Sequence, residues 1–151
     1  MSIRHTGIVV SDLFKMTEFY KLLGFEEYIE SNIKGELIDN LIGLDNADIE
    51  IVKLKSIKDD SIIELLKYKN IDNSNLRKEK KELWDLGLSH LAITVSDIGD
   101  ICKTLKLHGA KFNSSPLLTD DNVKVCFCRD IENNWIEIVE DLDSVYKDLK
   151  E

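Results

Sequence analysis

The sequence predicts an α+β fold in which two modules, each of one strand, one helix and three strands, follow each other along the chain. Two observations predict it. The phrase RHTGIVVSDL at residues 4–13 returns as SHLAITVSDI at residues 89–98, so that His5 and Asp12 recur as His90 and Asp97, both 85 positions later. The strand and helix patterns that follow each copy also keep the same order. Such an internal repeat fixes the architecture before any residue is given a role.

The first module spans residues 1–68. Its opening residues alternate between apolar and polar or small side chains, as in a strand. Ser11 and Asp12 can then cap a helix, which Gly24 would end. Apolar residues at helical spacing predict one further short helix. The predicted strands cover residues 3–10, 24–30, 47–55 and 61–68, and the predicted helices cover 12–23 and 36–44.

The second module spans residues 88–151 and repeats this order. Residues 69–87 are polar and charged, and we interpret them as a linker with one or two helical turns around Leu83 and Trp84. The sequence DIENN predicts a tight turn in which asparagine replaces the usual glycine. The two modules would form one structural domain. The second module's predicted strands cover residues 88–95, 110–115, 123–130 and 134–141, and its predicted helix covers 97–107.

Composition narrows the class of protein. The chain has 151 residues, of which 43% are apolar and 32% charged, as in ordinary globular proteins. A net charge of −9 argues against nucleic acid or an anionic membrane as a partner. We expect no signal peptide and no spanning segment. Three cysteines fit a cytoplasmic location, and Cys126 and Cys128 are interpreted as small core residues.

Polar residues recur at matched positions of the two modules. Strand alternation places His5 on one face of the first strand with Val9, and His90 stands at the equivalent position of the second module. Aligning IIELL with WIEIV pairs Glu64 with Glu137. A glutamate in the middle of a strand is costly to bury unless it is paired or bound to a metal. The alternatives are a hydrogen-bonded core histidine and a solvent-facing glutamate, and duplication alone can copy either.

These residues resemble the vicinal oxygen chelate superfamily, also called glyoxalase/bleomycin resistance/dioxygenase proteins. HTGIVVSDLFKMTEFYKLLGF looks like its opening motif and DIENNWIEIVE like its closing one. The resemblance implies a mixed sheet curled around a cavity that holds one divalent metal ion: nickel, zinc, cobalt, manganese or iron. It implies ligands at His5, Glu64, His90 and Glu137. Glu50 is the rival of Glu64, but the family's ligand lies on the last strand of the module.

The ligand set is similar to that of bacterial-type glyoxalase I, which implies a metal-dependent lyase or isomerase that shifts a proton next to a carbonyl of a small chelating substrate. Glu64 or Glu137 would be the catalytic base. Val9 stands where that enzyme carries the arginine that grips glutathione, so the thiol is left open. Methylmalonyl-CoA-epimerase-like activity is an alternative, although those enzymes carry a glutamine at one ligand position.

A non-catalytic protein that binds a drug or metabolite is the other alternative. Trp135 and Val9 would then contact the small molecule, Trp135 as an exposed stacking platform; a core tryptophan is the competing interpretation. Lys53 and Arg129 could meet an anionic substrate, but a solvent-facing side chain is the default. We expect a homodimer, because open sheet edges of this fold favour pairing.

Overall fold

The computed structural model describes residues 2–71 and 81–143. The chain divides into two compact units, residues 1–79 and 80–151. Residues 72–80 of the predicted linker lie outside the described residues, as do residues 144–151. The described helices are all too short, or too polar, to cross a membrane.

The first unit is a four-stranded mixed sheet in the order β1-β4-β3-β2, with β1 parallel to β4 and the other pairs antiparallel. Helix α1 packs on this sheet, and α2 connects β2 to β3. The bounds are β1 Thr6–Val9, α1 Leu13–Lys21, β2 Phe25–Lys34, α2 Glu36–Ile42, β3 Asp48–Ser56 and β4 Ile62–Tyr68.

Local sequence explains these elements. The Asp12 carboxylate accepts a hydrogen bond from the Lys15 backbone N–H at 3.0 Å, which begins α1 and lowers the pKa of Asp12. Gly43 ends α2 with a φ of 70°. Strand β2 runs four residues beyond the predicted end at residue 30, because its ladder to β3 continues to the Lys34–Asp48 pair.

The second unit is a mixed sheet of five strands in the order β5-β9-β8-β6, with β7 also paired to β8 and β5 parallel to β9. The bounds are β5 His90–Thr94, α3 Ile98–Leu107, β6 Lys111–Phe112, β7 Leu117–Leu118, β8 Val123–Arg129 and β9 Trp135–Asp141. Asp97 begins α3 as Asp12 begins α1, by accepting from the Asp100 N–H at 2.9 Å. The α+β class and the two tandem modules are confirmed.

Each unit buries one face of its sheet under its helix. In the first unit Ile63 and Leu65 of β4 are buried while Glu64 between them is not; in the second, Ile136 and Ile138 flank Glu137 in the same way. Alternation along a strand requires that each glutamate lie on the opposite face from the core. The helix residues that complete the cores are Met16, Thr17, Phe19 and Tyr20 of α1 and Ile98, Cys102 and Leu105 of α3.

Candidate metal-ligating site

Each unit brings one histidine to one glutamate. In the first unit the distance from His5 Nε2 to Glu64 Oε2 is 3.2 Å, and in the second the distance from His90 Nε2 to Glu137 Oε2 is also 3.2 Å. All four side chains are partly exposed, from 12% for Glu64 to 33% for His90. In each unit the pair links the start of the first strand to the last strand of the repeat, β4 or β9. Both pairs lie on the face of the sheet opposite the helix.

The strand register explains why both pairs form. In the first unit Gly7 of β1 lies opposite Glu64, and in the second Ala92 of β5 lies opposite Glu137. Each histidine comes two residues before the small residue, Gly7 or Ala92, that lies opposite the glutamate. It therefore points to the same face of the sheet as that glutamate. A Cβ added at position 7 would stand 3.4 Å from Leu66 Cδ1, which is an ordinary van der Waals contact, so this position tolerates a residue as small as the alanine found at position 92. Small residues next to each histidine thus leave room above the glutamate.

The rival glutamate occupies a different place. Glu50 of β3 has a side chain that is 39% exposed, and its Oε1 lies 3.5 Å from Lys69 Nζ. Glu64 is the glutamate that contacts His5, as the strand count favoured.

A serine orients the second histidine. The Ser89 hydroxyl donates to the Leu83 carbonyl oxygen at 2.9 Å, so its oxygen is left to accept from His90 Nδ1 at 3.1 Å. This contact places a hydrogen on Nδ1 and turns Nε2 toward Glu137. Partners of this kind fix the ring nitrogen that a histidine offers to a metal. The sequence signal was available, because Ser89 directly precedes His90, whereas Arg4 precedes His5.

The surroundings of the two glutamates differ. Lys53 of β3 lies opposite Glu64, and its Nζ is 3.2 Å from Glu64 Oε1. Phe127 of β8 takes the equivalent position opposite Glu137, and its ring meets His90 edge-on with centroids 5.2 Å apart. The sequence predicted that the Lys53 side chain faces solvent, whereas in the structure it pairs with the Glu64 carboxylate.

The two predicted substrate contacts have different environments. Val9 lies at the end of β1 and is 47% exposed. Trp135 is only 6% exposed, because the Arg129 guanidinium covers its ring at 3.9 Å and the Lys81 carbonyl accepts from its Nε1 at 3.0 Å. The expectation that Trp135 is an exposed stacking platform is therefore wrong, and its indole is a packed part of the second unit.

The donors suit a transition metal, because imidazole nitrogen and carboxylate oxygen are ligands that such ions accept. Two donor atoms 3.2 Å apart can also bind one ion at neighbouring positions. The second pair fits this role, and the first fits it when Lys53 releases Glu64. Within residues 2–71 and 81–143, no three histidine, cysteine, aspartate or glutamate side chains are grouped to hold a metal. Each pair thus supplies two donors, and the other coordination positions need further ones.

Comparison with protein families places the chain. A family model described as the Glyoxalase/Bleomycin resistance protein/Dioxygenase superfamily matches residues 2–138. The chain therefore belongs to this superfamily.

Solved structures agree on the fold. A glyoxalase family protein from Bacillus cereus is similar with a TM-score of 0.85 and 23% identity, covering 95% of each chain. A glyoxylase/bleomycin resistance protein/dioxygenase domain from Frankia sp. EAN1pec has a TM-score of 0.64 and 17% identity, covering 97% of this chain and 96% of that one. A glyoxalase family protein from Enterococcus faecalis has a TM-score of 0.60 and 23% identity, covering 92% and 97%. Comparison with curated proteins gives no match.

Proposed function

We propose that the protein is a divalent-metal-dependent lyase or isomerase that shifts a proton next to a carbonyl of a small, metal-chelating substrate. The observation that carries this proposal is the duplication of one His–Glu pair, at the same strand register and the same 3.2 Å distance. Duplication alone can copy a structural pair, but imidazole and carboxylate donors at equivalent positions of both units are also what a set of metal ligands requires.

The proposed ligands are His5 and Glu64 from the first unit and His90 and Glu137 from the second. When bound, a divalent ion would act as a Lewis acid and stabilise the negative charge that develops on a carbonyl oxygen. The chain itself orients the donors: Ser89 holds the ring of His90, and the ladder from β1 to β4 holds Glu64 beside His5.

Glu137 is the better candidate for the base. Both oxygens of Glu64 are engaged, Oε2 by His5 and Oε1 by Lys53. Glu137 meets His90 through Oε2, and its Oε1 has no partner among the described residues. A base must reach the hydrogen it removes with a free oxygen. Glu137 would take the proton from the carbon next to the carbonyl and return it to the neighbouring carbon, so that substrate and product have the same atoms.

Two conservative variants test the assignment. Glu137→Gln and Glu64→Gln would be assayed with adducts of 2-oxoaldehydes and several thiols, and with acyl-CoA epimers. We expect Glu137→Gln to lower kcat by about 10²–10⁴-fold, the range for loss of a general base. Glu64→Gln should retain more turnover. Full turnover in both variants would remove the carboxylate base from the mechanism.

A small-molecule binding protein is the second candidate. One reason is Val9, whose apolar side chain is 47% exposed on the face that carries His5. The other is Lys53, which already pairs with the carboxylate of Glu64, a proposed metal ligand. Tight binding of an apolar ligand by metal-free protein, with no turnover of any adduct, would support this candidate over the lyase.

A further inference from the structure

The position that faces each glutamate from the neighbouring antiparallel strand is the sharpest difference between the two pairs. In the first unit it is Lys53, and in the second it is Phe127. Lys53 has a side chain that is 24% exposed, and Glu64 is 12% exposed, so their 3.2 Å contact is largely shielded from water. Phe127 brings no charge to Glu137, and its ring instead packs edge-on against His90.

This difference bears on cation binding. An ammonium group next to a carboxylate satisfies it, and the attraction grows when both groups are shielded from water. A divalent ion that uses Glu64 must displace Lys53 or sit beside its positive charge. Displacement leaves the shielded Lys53 ammonium without its carboxylate, and an ion that sits beside it is repelled by its like charge. Among the described residues no lysine or arginine contacts Glu137, whose Oε2 lies 3.2 Å from His90 Nε2.

We propose that Lys53 is an internal competitor for the metal at Glu64, so that it weakens binding by the His5–Glu64 pair relative to the His90–Glu137 pair. The inference rests on the proposed function, since it assumes that these pairs bind a metal. Lys53 is then a residue that sets metal affinity and not a catalytic one. Its replacement should tighten metal binding, which is the opposite of what removal of a ligand or of a merely structural residue does.

The test is a titration of the protein with Co²⁺ alone. Calorimetry and the visible absorption of the bound ion each measure the dissociation constant. The wild type is compared with Lys53→Met, which keeps the aliphatic stem and removes the charge. The matched control is Lys103→Met: Lys103 contacts Asp100 at the same 3.2 Å distance, but these side chains are 79% and 74% exposed. We expect Lys53→Met to lower the dissociation constant about tenfold or more, the effect of a neighbouring opposite charge on a carboxylate. Lys103→Met should leave it unchanged.

A reciprocal substitution probes the second pair. Phe127→Lys places an ammonium group opposite Glu137 and should raise the dissociation constant, whereas Phe127→Leu, which removes only the ring, should change it much less. Circular dichroism checks the fold of each variant, and Lys53→Gln replaces Lys53→Met if the latter does not fold.

The outcomes separate this inference from the proposed function. If the wild type binds Co²⁺ and neither Lys53 variant binds it more tightly, the inference is overturned while the metal proposal stands. If no variant binds Co²⁺ at millimolar concentration, both are overturned. If removal of Lys53 tightens binding but no carbonyl substrate turns over, the inference is supported and the lyase proposal is not.

Discussion

The two units share a scaffold and differ in what surrounds the same pair of side chains. The first unit places a charged residue, Lys53, opposite Glu64, and the second places an aromatic one, Phe127, opposite Glu137. His90 is held by Ser89, while the residue before His5 is an arginine. The repeat therefore keeps the His–Glu register, and the two units diverge in the residues that surround it.

The next position along the same face differs even more. In the second unit Arg129 lies opposite Trp135, and in the first Lys55 lies opposite Ile62. Arg129 is buried and stacks on Trp135, whereas Lys55 pairs with Asp60, whose side chain is 97% exposed. Arg129 is therefore a buried structural anchor of the second unit, whereas Lys55 is a surface residue of the first.

Removal of the anchor should give the largest effect on stability. Arg129 donates to the carbonyls of Lys81 and Asn133 and to the Glu82 carboxylate, at 2.9–3.0 Å. Since Arg129 is buried and Glu82 is half-exposed, Arg129→Met should lower the free energy of unfolding by about 2–4 kcal/mol. Urea denaturation measures this loss.

The matched control for this loss is Lys55→Met in the first unit. We expect little change there, because a surface ion pair contributes little to stability. Equal losses in the two variants would contradict the distinction between anchor and surface position.

The strands and helices were largely predictable from the sequence, because alternation and capping are local signals. The turn at 130–134 also follows the prediction, with Asn133 at a φ of 67° in the glycine-like conformation. The predicted strand 110–115 is paired only at Lys111–Phe112, and the described residues around Leu83 and Trp84 form a turn and no helix. Two further features were not predicted: the short strand β7, which its pairing with β8 defines, and the extension of β2 along β3. Both depend on partner strands that are distant in sequence.

The candidate site was predictable only in part. The repeat singled out His5, Glu64, His90 and Glu137, and the structure brings each histidine to its glutamate. Lys53 was missed because alternation predicts the face on which a side chain lies and not the residue opposite it. The two interpretations of Trp135 could not be separated for the same reason: its cover, Arg129, comes from the neighbouring strand.

All three cysteines of the sequence lie in the second unit, so thiol reactivity reports on that unit alone. Burial raises the pKa of Cys126 and Cys128 to about 12 and also raises the pKa of Cys102. The thiolate is the reactive form, so a raised pKa means that reactivity grows only as pH rises toward that value.

Native protein at pH 8 should therefore show almost no reaction with a thiol reagent, and three thiols should react once the chain is unfolded. Leu107→Cys is the positive control, since Leu107 is 85% exposed at the end of α3. Fast labelling of native wild type would show that the core of the second unit opens readily.

The most direct test of the central claim is the metal content of protein purified without chelators, measured by mass spectrometry of the elements. Wild type would be compared with His5→Ala, His90→Ala and a control, His108→Ala, whose imidazole contacts the Thr104 carbonyl at the end of α3. We expect a divalent transition metal in the wild type and the control, a reduced amount in His5→Ala, and the largest loss in His90→Ala. Equal metal in all four proteins, or none in the wild type even after reconstitution, would contradict the claim that the repeated His–Glu pairs bind metal.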